Sequence, residues 1–294
     1  MMRRSEGSVA GVNGLRLAYR AWEAVSPRAG IVVVHGLGEH SGRYDQFGEA
    51  MVAFAISTYA LDLRGHGLSD GRRGHVPSFD VFLRELDRFR REVEGLADYG
   101  IPLFVLGQSM GGLIALRYVE EHESRFRGAI ICSPWLATSM PVPRWKIMAA
   151  NALERVLPAL PFHSSMDPEL FTHDPDVVQA YRADPLVHGS ITPRLFVEVS
   201  AAMGIVLQRS DRIREPLLFL LGRDDRLVAT DRTVRFAQSM TGVDVAVRVF
   251  PGLYHELLQE VDRQRIFREI SDWIYTRLRR VGDGAVSAGG GADA

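Results

Sequence analysis

Six short stretches rich in Val, Ile, Leu and Phe punctuate the chain, at residues 31–34, 56–61, 103–106, 129–131, 217–221 and 243–250. Near-continuous apolarity over so few residues reads as a β-strand buried on both faces, because a strand with one wet face would alternate. Helix-compatible amphipathic stretches separate these runs. Strand–helix alternation of this kind builds a mainly parallel sheet with helices on both faces. Near the start, Asn13-Gly14 lies between the strand-like runs 8–12 and 15–22, and both residues tolerate the positive φ of a tight turn, so an antiparallel hairpin is expected there.

The rhythm breaks after Pro134. Prolines crowd the next stretch, among them Pro141, Pro143, Pro158, Pro161 and Pro168, and no clear strand appears before about Arg212. Residues 135–212 read as a helical insertion, or cap, set into a core made of 1–134 and 213–281. Residues 282–294 are rich in Gly, Ala and Ser without periodicity, the composition of a disordered tail.

Composition narrows the partners. With 294 residues, 46% hydrophobic and 24% charged, the chain has the make-up of a globular enzyme, and a formal net charge of -1 offers no electrostatic footprint for nucleic acid. Small neutral or amphiphilic ligands fit better. The one cysteine, Cys132, sits in an apolar run and reads as a core thiol. Met-Met-Arg-Arg at the start is followed by Ser-Glu-Gly-Ser, which is no signal peptide, and no apolar run approaches 18 residues. A cytoplasmic protein is expected, with at most peripheral and transient contact with lipid surfaces through the cap.

The chemistry gathers at three loops. Gly107-Gln108-Ser109-Met110-Gly111 follows the predicted strand 103–106 and precedes a helix-forming run from 112 to 121. A G-x-S-x-G in that context is a nucleophile elbow, a turn so tight that its glycines leave room for the backbone while the Ser hydroxyl projects from the sheet. A free hydroxyl is barely nucleophilic, so a base is required. His255, in the loop after the last predicted strand, is the only His beyond residue 225 and has no competitor for that role. The acid should lie between Ser and His in the chain. The loop after 217–221 holds two carboxylates, Asp224 and Asp225, and the residues alone leave the choice open. An oxyanion also needs donors. The backbone N–H of Met110 is one candidate, and that of Leu37, in the Gly-flexed loop His35-Gly36-Leu37-Gly38, is the other. His35 itself reads as a structural hydrogen-bonder.

With these residues in view, the chain resembles the monoacylglycerol lipase family of the α/β-hydrolase fold, from roughly Gly11 to Arg280. The resemblance rests on His35-Gly-Leu-Gly-Glu-His-Ser-Gly-Arg-Tyr44, Asp62-Leu-Arg-Gly-His-Gly-Leu-Ser69, the elbow, Gly222-Arg-Asp-Asp-Arg-Leu227 and Pro251-Gly-Leu-Tyr-His-Glu256. It implies cofactor-free hydrolysis of monoacylglycerols to glycerol and fatty acid under an apolar cap. It also implies Asp225 as the acid and Leu37 and Met110 as the oxyanion donors. The family often has His where this chain has Gln108, a position that faces the glycerol pocket, which leaves head-group preference open. Apolar residues of the insertion, such as Trp135, Trp145, Met148 and Leu153, are candidates to line an acyl tunnel or dock on lipid. Ser109 excludes the Asp-nucleophile dehalogenases and epoxide hydrolases of the same fold. Lysophospholipase or short-chain carboxylesterase activity is the alternative, and a non-catalytic binding protein the distant one.

Overall fold

The computed structural model describes residues 2–286 apart from 97–99, 124, 141 and 164–165. The chain opens with the antiparallel pair β1 (Arg3–Ala10) and β2 (Arg16–Glu23), whose connecting turn takes positive φ at Asn13 (61°) and Gly14 (76°). Then follow β3 (Ala29–Val34), α1 (Asp45–Ala53), β4 (Ile56–Leu61), α2 (Phe79–Leu96), β5 (Leu103–Gln108), α3 (Met110–Glu121) and β6 (Ala129–Cys132). After the inserted segment come β9 (Leu217–Gly222), α7 (Thr230–Ser239), β10 (Val245–Phe250) and α8 (Arg263–Val286). The insertion carries α4 (Arg144–Val156), β7 (Phe162–His163), α5 (Pro175–Ala183), β8 (Ser190–Ile191) and α6 (Pro193–Gln208).

Eight strands form one sheet in the order β1-β2-β4-β3-β5-β6-β9-β10. From β4 to β10 every neighbour pair is parallel, and only β1–β2 and β2–β4 are antiparallel. The mostly parallel α/β-hydrolase sheet is therefore present. Its two faces explain the unbroken apolar runs. In β3, Val32 and Val34 join one core with α2, α3, α6 and α7, while Ile31 and Val33 join the other with α1 and α8. β5 divides likewise, Leu103 and Val105 to one side and Phe104 and Leu106 to the other. Each such side chain gains roughly 1.5–3 kcal/mol on burial, so both faces reward apolar residues and alternation disappears.

Four features depart from the pattern read in the sequence. β1 spans Arg3–Ala10 rather than 8–12, because Val12–Gly14 is taken up by the 3-10 turn of the connection. β10 begins at Val245 rather than 243, because it is an edge strand and pairs only with β9, from Val245 opposite Leu217. The insertion does contain strand: β7 and β8 pair antiparallel over two residues each, too short to leave a periodic signal. Helix α8 runs to Val286, into the segment read as a tail. Propagating a formed helix costs little per residue, so two glycines do not stop it at once. The rest of that segment, 287–294, lies outside the described residues. Among the described residues no helix is long and apolar enough to cross a membrane.

The inserted helices are not alike. Leu195, Val199, Ala202 and Val206 anchor α6 in the same core as α3, whereas α4 has no buried residue at all. Because β3, β5 and β9 run parallel, the loops after their carboxyl ends gather at one edge of the sheet, together with the loop after β10. That edge carries Leu37, Ser109, Asp225 and His255.

Candidate active site

Strand β5 delivers Ser109 into a conformation that few non-glycine residues adopt, φ 54° and ψ −114°. Strain of this kind costs about 1–3 kcal/mol and persists only where the surroundings over-determine it. Here they do: Ser109 N–H donates to Cys132 O (2.9 Å), and its own carbonyl accepts from Leu113 N (3.2 Å) and Trp135 N (3.0 Å). The glycines of the elbow are required by approach of backbone to backbone. A Cβ on Gly107 would sit 2.2 Å from Gly111 O, and one on Gly111 only 2.0 Å from Val34 O. Met110 is the first residue of α3, so its N–H has no acceptor within the helix. Leu37 N–H likewise has no acceptor among the described residues, and Leu37 and Ser109 line one cleft.

The imidazole of His255 lines that cleft too, although the residue is only 5% exposed. Its Nδ1 donates to Asp225 Oδ2 at 2.7 Å, which leaves Nε2 as the acceptor nitrogen. The side chain of Asp225 is fully buried, and its Oδ1 accepts from Leu227 N (2.8 Å) and Val228 N (3.0 Å), so the carboxylate is fixed at both oxygens. Asp224 turns elsewhere, its Oδ2 accepting from the exposed Gly252 N–H at 2.8 Å. Burial opposes the imidazolium, but the negative charge of Asp225, its hydrogen bond and the nearby Glu256 and Glu39 together outweigh that penalty, and the His255 pKa ends above its ordinary value.

Two other sequence candidates have structural duties. His35 accepts Leu63 N–H at Nε2 (3.0 Å) and donates from Nδ1 to Gly36 O (2.7 Å), while burial drives its pKa down to about 4. Gln108 does not line the cleft. Its Nε2 donates to the carbonyl of His255 at 3.1 Å, tying the end of β5 to the loop that carries the imidazole. Cys132 is buried, and burial pushes its thiol pKa up.

The cleft also holds groups that sequence reading passed over. Glu39 and Glu256 both line it beside His255, and the buried Arg43 grips Glu256 with two hydrogen bonds (2.8 and 2.7 Å) while lying 3.7 Å from Glu39. Burial, reinforced by Glu256 and opposed by Arg43, pushes the Glu39 carboxyl up to about 7. All three residues stand inside motifs quoted for the family resemblance, but their meeting spans 213 positions and has no local signature. The cleft measures about 650 Å³. Away from the polar groups its walls come from α4, α6 and β7, including Trp145, Leu153, Phe162 and Phe196. Among the described residues no group of three or more His, Cys, Asp or Glu is placed to hold a metal ion.

The family described as serine aminopeptidase S33 matches residues 25–262. A monoacylglycerol lipase of Mycolicibacterium smegmatis is 32% identical over 280 residues, covering 94% of this chain and 98% of the relative. The chain belongs to the monoacylglycerol lipase family of α/β-hydrolases. A crystal structure of the Paleococcus ferrophilus monoacylglycerol lipase superposes with a TM-score of 0.80 at 30% identity, covering 94% of this chain and 99% of that one. A phospholipase of Bacillus subtilis is 29% identical over 249 residues, 84% of this chain and 95% of the relative. Membership of the monoacylglycerol lipase family agrees with the resemblance carried by the elbow and the motifs at residues 35–44, 62–69, 222–227 and 251–256.

Proposed function

We propose that this member of the family hydrolyses monoacylglycerols with Ser109 as nucleophile, His255 as base and Asp225 as the partner that orients and charges the base. The observation that carries the reading is the 2.7 Å pair between His255 Nδ1 and the buried carboxylate of Asp225, with His255 lining the cleft that also holds Ser109. In this mechanism Ser109 Oγ attacks the ester carbonyl as its proton passes to His255 Nε2. The tetrahedral oxyanion is met by the backbone N–H groups of Leu37 and Met110. Collapse breaks the bond to the alcohol oxygen, which takes the proton from His255 and leaves as glycerol. Water, deprotonated by the same imidazole, then releases the fatty acid and restores the serine.

The substrate class follows from how the cleft is lined. An apolar wall under α4 and α6 suits one acyl chain, and carboxyl groups beside His255 suit a small hydroxylated head. A phospholipase among the relatives favours a lysophospholipid as the second reading. Against it stands local charge: Glu39 and Glu256 face one Arg43, so the head-group end carries no net positive charge to receive a phosphate. Residues 135–212 act here as the cap over a core of 1–134 and 213–281. The outer side of α4, where Met148 is 71% exposed, serves as the part that touches lipid aggregates.

Initial rates on 1-oleoylglycerol, trioleoylglycerol and oleoyl lysophosphatidylcholine test the assignment. The monoacylglycerol should be cleaved much faster than the other two. Comparable triacylglycerol rates would defeat the single-chain cleft, and faster lysophospholipid cleavage would establish the second reading. Chain length gives a separate test. Trp145→Ser is expected to reduce kcat/KM for long-chain monoacylglycerols several-fold while sparing nitrophenyl acetate, since Trp145 lines the cleft from α4, on the wall assigned here to the acyl chain. Equal losses on both substrates would mean that Trp145 only maintains the fold.

A further inference from the structure

The loop that offers Leu37 N–H is held from above by the inserted segment. Between α5 and β8 the chain passes directly over residues 36–40. His188 N–H donates to Gly38 O at 3.0 Å, and the contact is so close that a Cβ on Gly38, which has φ +79°, would lie 2.1 Å from His188 O. Two residues on, His40 Nδ1 accepts from Gly42 N (3.1 Å), so Nε2 carries the proton and donates it to Asp184 Oδ2 at 2.7 Å. Asp184 is held in turn, its Oδ1 accepting from Leu186 N at 2.8 Å. The His188 ring closes the clamp: Nδ1 accepts from Ser190 N, Nε2 donates to Gly65 O at 3.2 Å, and the ring packs 4.6 Å from that of His66, which lies 5.1 Å from His35 at the root of the loop. The same stretch of the insertion also lines the cleft through His188, Gly189 and Ile191.

We propose that the 184–188 stretch is a positioning element for the oxyanion loop, with Asp184 and His188 fixing where Leu37 N–H points, so that the insertion completes the catalytic apparatus as well as covering it. This rests on the reading of Leu37 N–H as an oxyanion donor. A loop with three glycines among residues 36–42 has little stiffness of its own, and a donor misplaced by a fraction of an ångström loses most of its advantage for the transition state. Neither Asp184 nor its partner His40 lines the cleft. Their effect should therefore appear in kcat and in affinity for tetrahedral adducts, and not in ground-state binding.

The test compares Asp184→Ala, Asp184→Asn and His40→Ala on nitrophenyl butyrate and with a trifluoromethyl ketone, whose adduct on the nucleophile places an oxyanion in the hole. Asp184→Ala should lower kcat by roughly 10- to 100-fold, below the full loss of a donor, with KM little changed. The inhibition constant of the ketone should rise in the same proportion. Asp184→Asn keeps an acceptor for the His40 N–H and should recover most of the loss. His40→Ala removes the same bond from the other side, so its loss should match that of Asp184→Ala and the double variant should lose no more than either. It also serves if Asp184→Ala fails to fold by circular dichroism. A loss confined to KM, or a kcat loss without weaker ketone binding, overturns the proposal. Leu37→Pro, which deletes the N–H, separates the two layers. If it abolishes activity while the Asp184 and His40 variants keep full kcat, the clamp alone is wrong; if it keeps activity, the oxyanion reading fails and takes the clamp with it.

Discussion

Ser109→Ala is expected to leave a folded protein with no measurable ester hydrolysis. Losing the nucleophile removes the whole acyl-enzyme route, and in a serine protease with the same arrangement the corresponding loss in kcat is on the order of 10⁶. The fold should not notice. Alanine keeps the same Cβ at φ 54°, and the hydrogen bonds that hold the elbow run through the main chain of residue 109. Melting curves of the two proteins should therefore overlay while the rates separate. A variant with a loss of only a few-fold would place the nucleophile elsewhere. His255→Ala should match it in kcat, since members of the unit are not additive.

Asp225→Asn should cost on the order of 10³ to 10⁴ in kcat, while Asp224→Asn should cost less than about ten-fold. Asn at 225 keeps the shape but turns an NH₂ group toward His255 or leaves Nδ1 beside an uncharged oxygen. With the NH₂ group toward His255, Nδ1 must accept and the tautomer that exposes an unprotonated Nε2 is lost; in either orientation the forming imidazolium loses its counter-charge. Asn at 224 can still accept the Gly252 N–H through its own Oδ1. The pH profile carries an independent sign. Only the neutral imidazole can act as base, so the activity of the native enzyme rises with pH and levels off above the His255 pKa, which lies above its ordinary value. Removing the negative charge at 225 destabilises the imidazolium, so the residual activity of Asp225→Asn should level off at lower pH. Rates of both variants between pH 5 and pH 9 check this, and a reversed order of kcat losses would assign the acid to Asp224.

Much of this arrangement can be read from residues because its causes are local. Val32 and Val34 face one core and Ile31 and Val33 the other, so a strand buried on both sides announces itself as an apolar run. The elbow is legible because contacts of 2.0 and 2.2 Å with backbone oxygens permit nothing larger than glycine at 107 and 111. Asn13-Gly14 is legible because positive φ selects those residues. What escaped depends on long-range meetings. Arg43 and Glu256 pair across 213 positions, Asp184 and His40 across 144, and no periodicity encodes either. The family resemblance puts the position of Gln108 at the glycerol pocket and leaves head-group preference open. A primary amide instead finds the His255 carbonyl within 3.1 Å and turns inward to donate to it. The apolar surface of the insertion could not be apportioned from sequence. Leu136, ahead of α4, is buried in the core; on α4 itself Trp145 lines the cleft though largely exposed and Met148 faces out, a division set by how α4 lies against α6.

Peptide mass spectrometry after fluorophosphonate labelling, with and without 1-oleoylglycerol, tests the assignment of nucleophile and substrate together. The expected result is a single phosphonylated residue, Ser109, whose labelling slows as the monoacylglycerol fills the cleft and competes for the same oxygen. Label on any other residue, or labelling of Ser109 at a rate that saturating monoacylglycerol leaves unchanged, would contradict it.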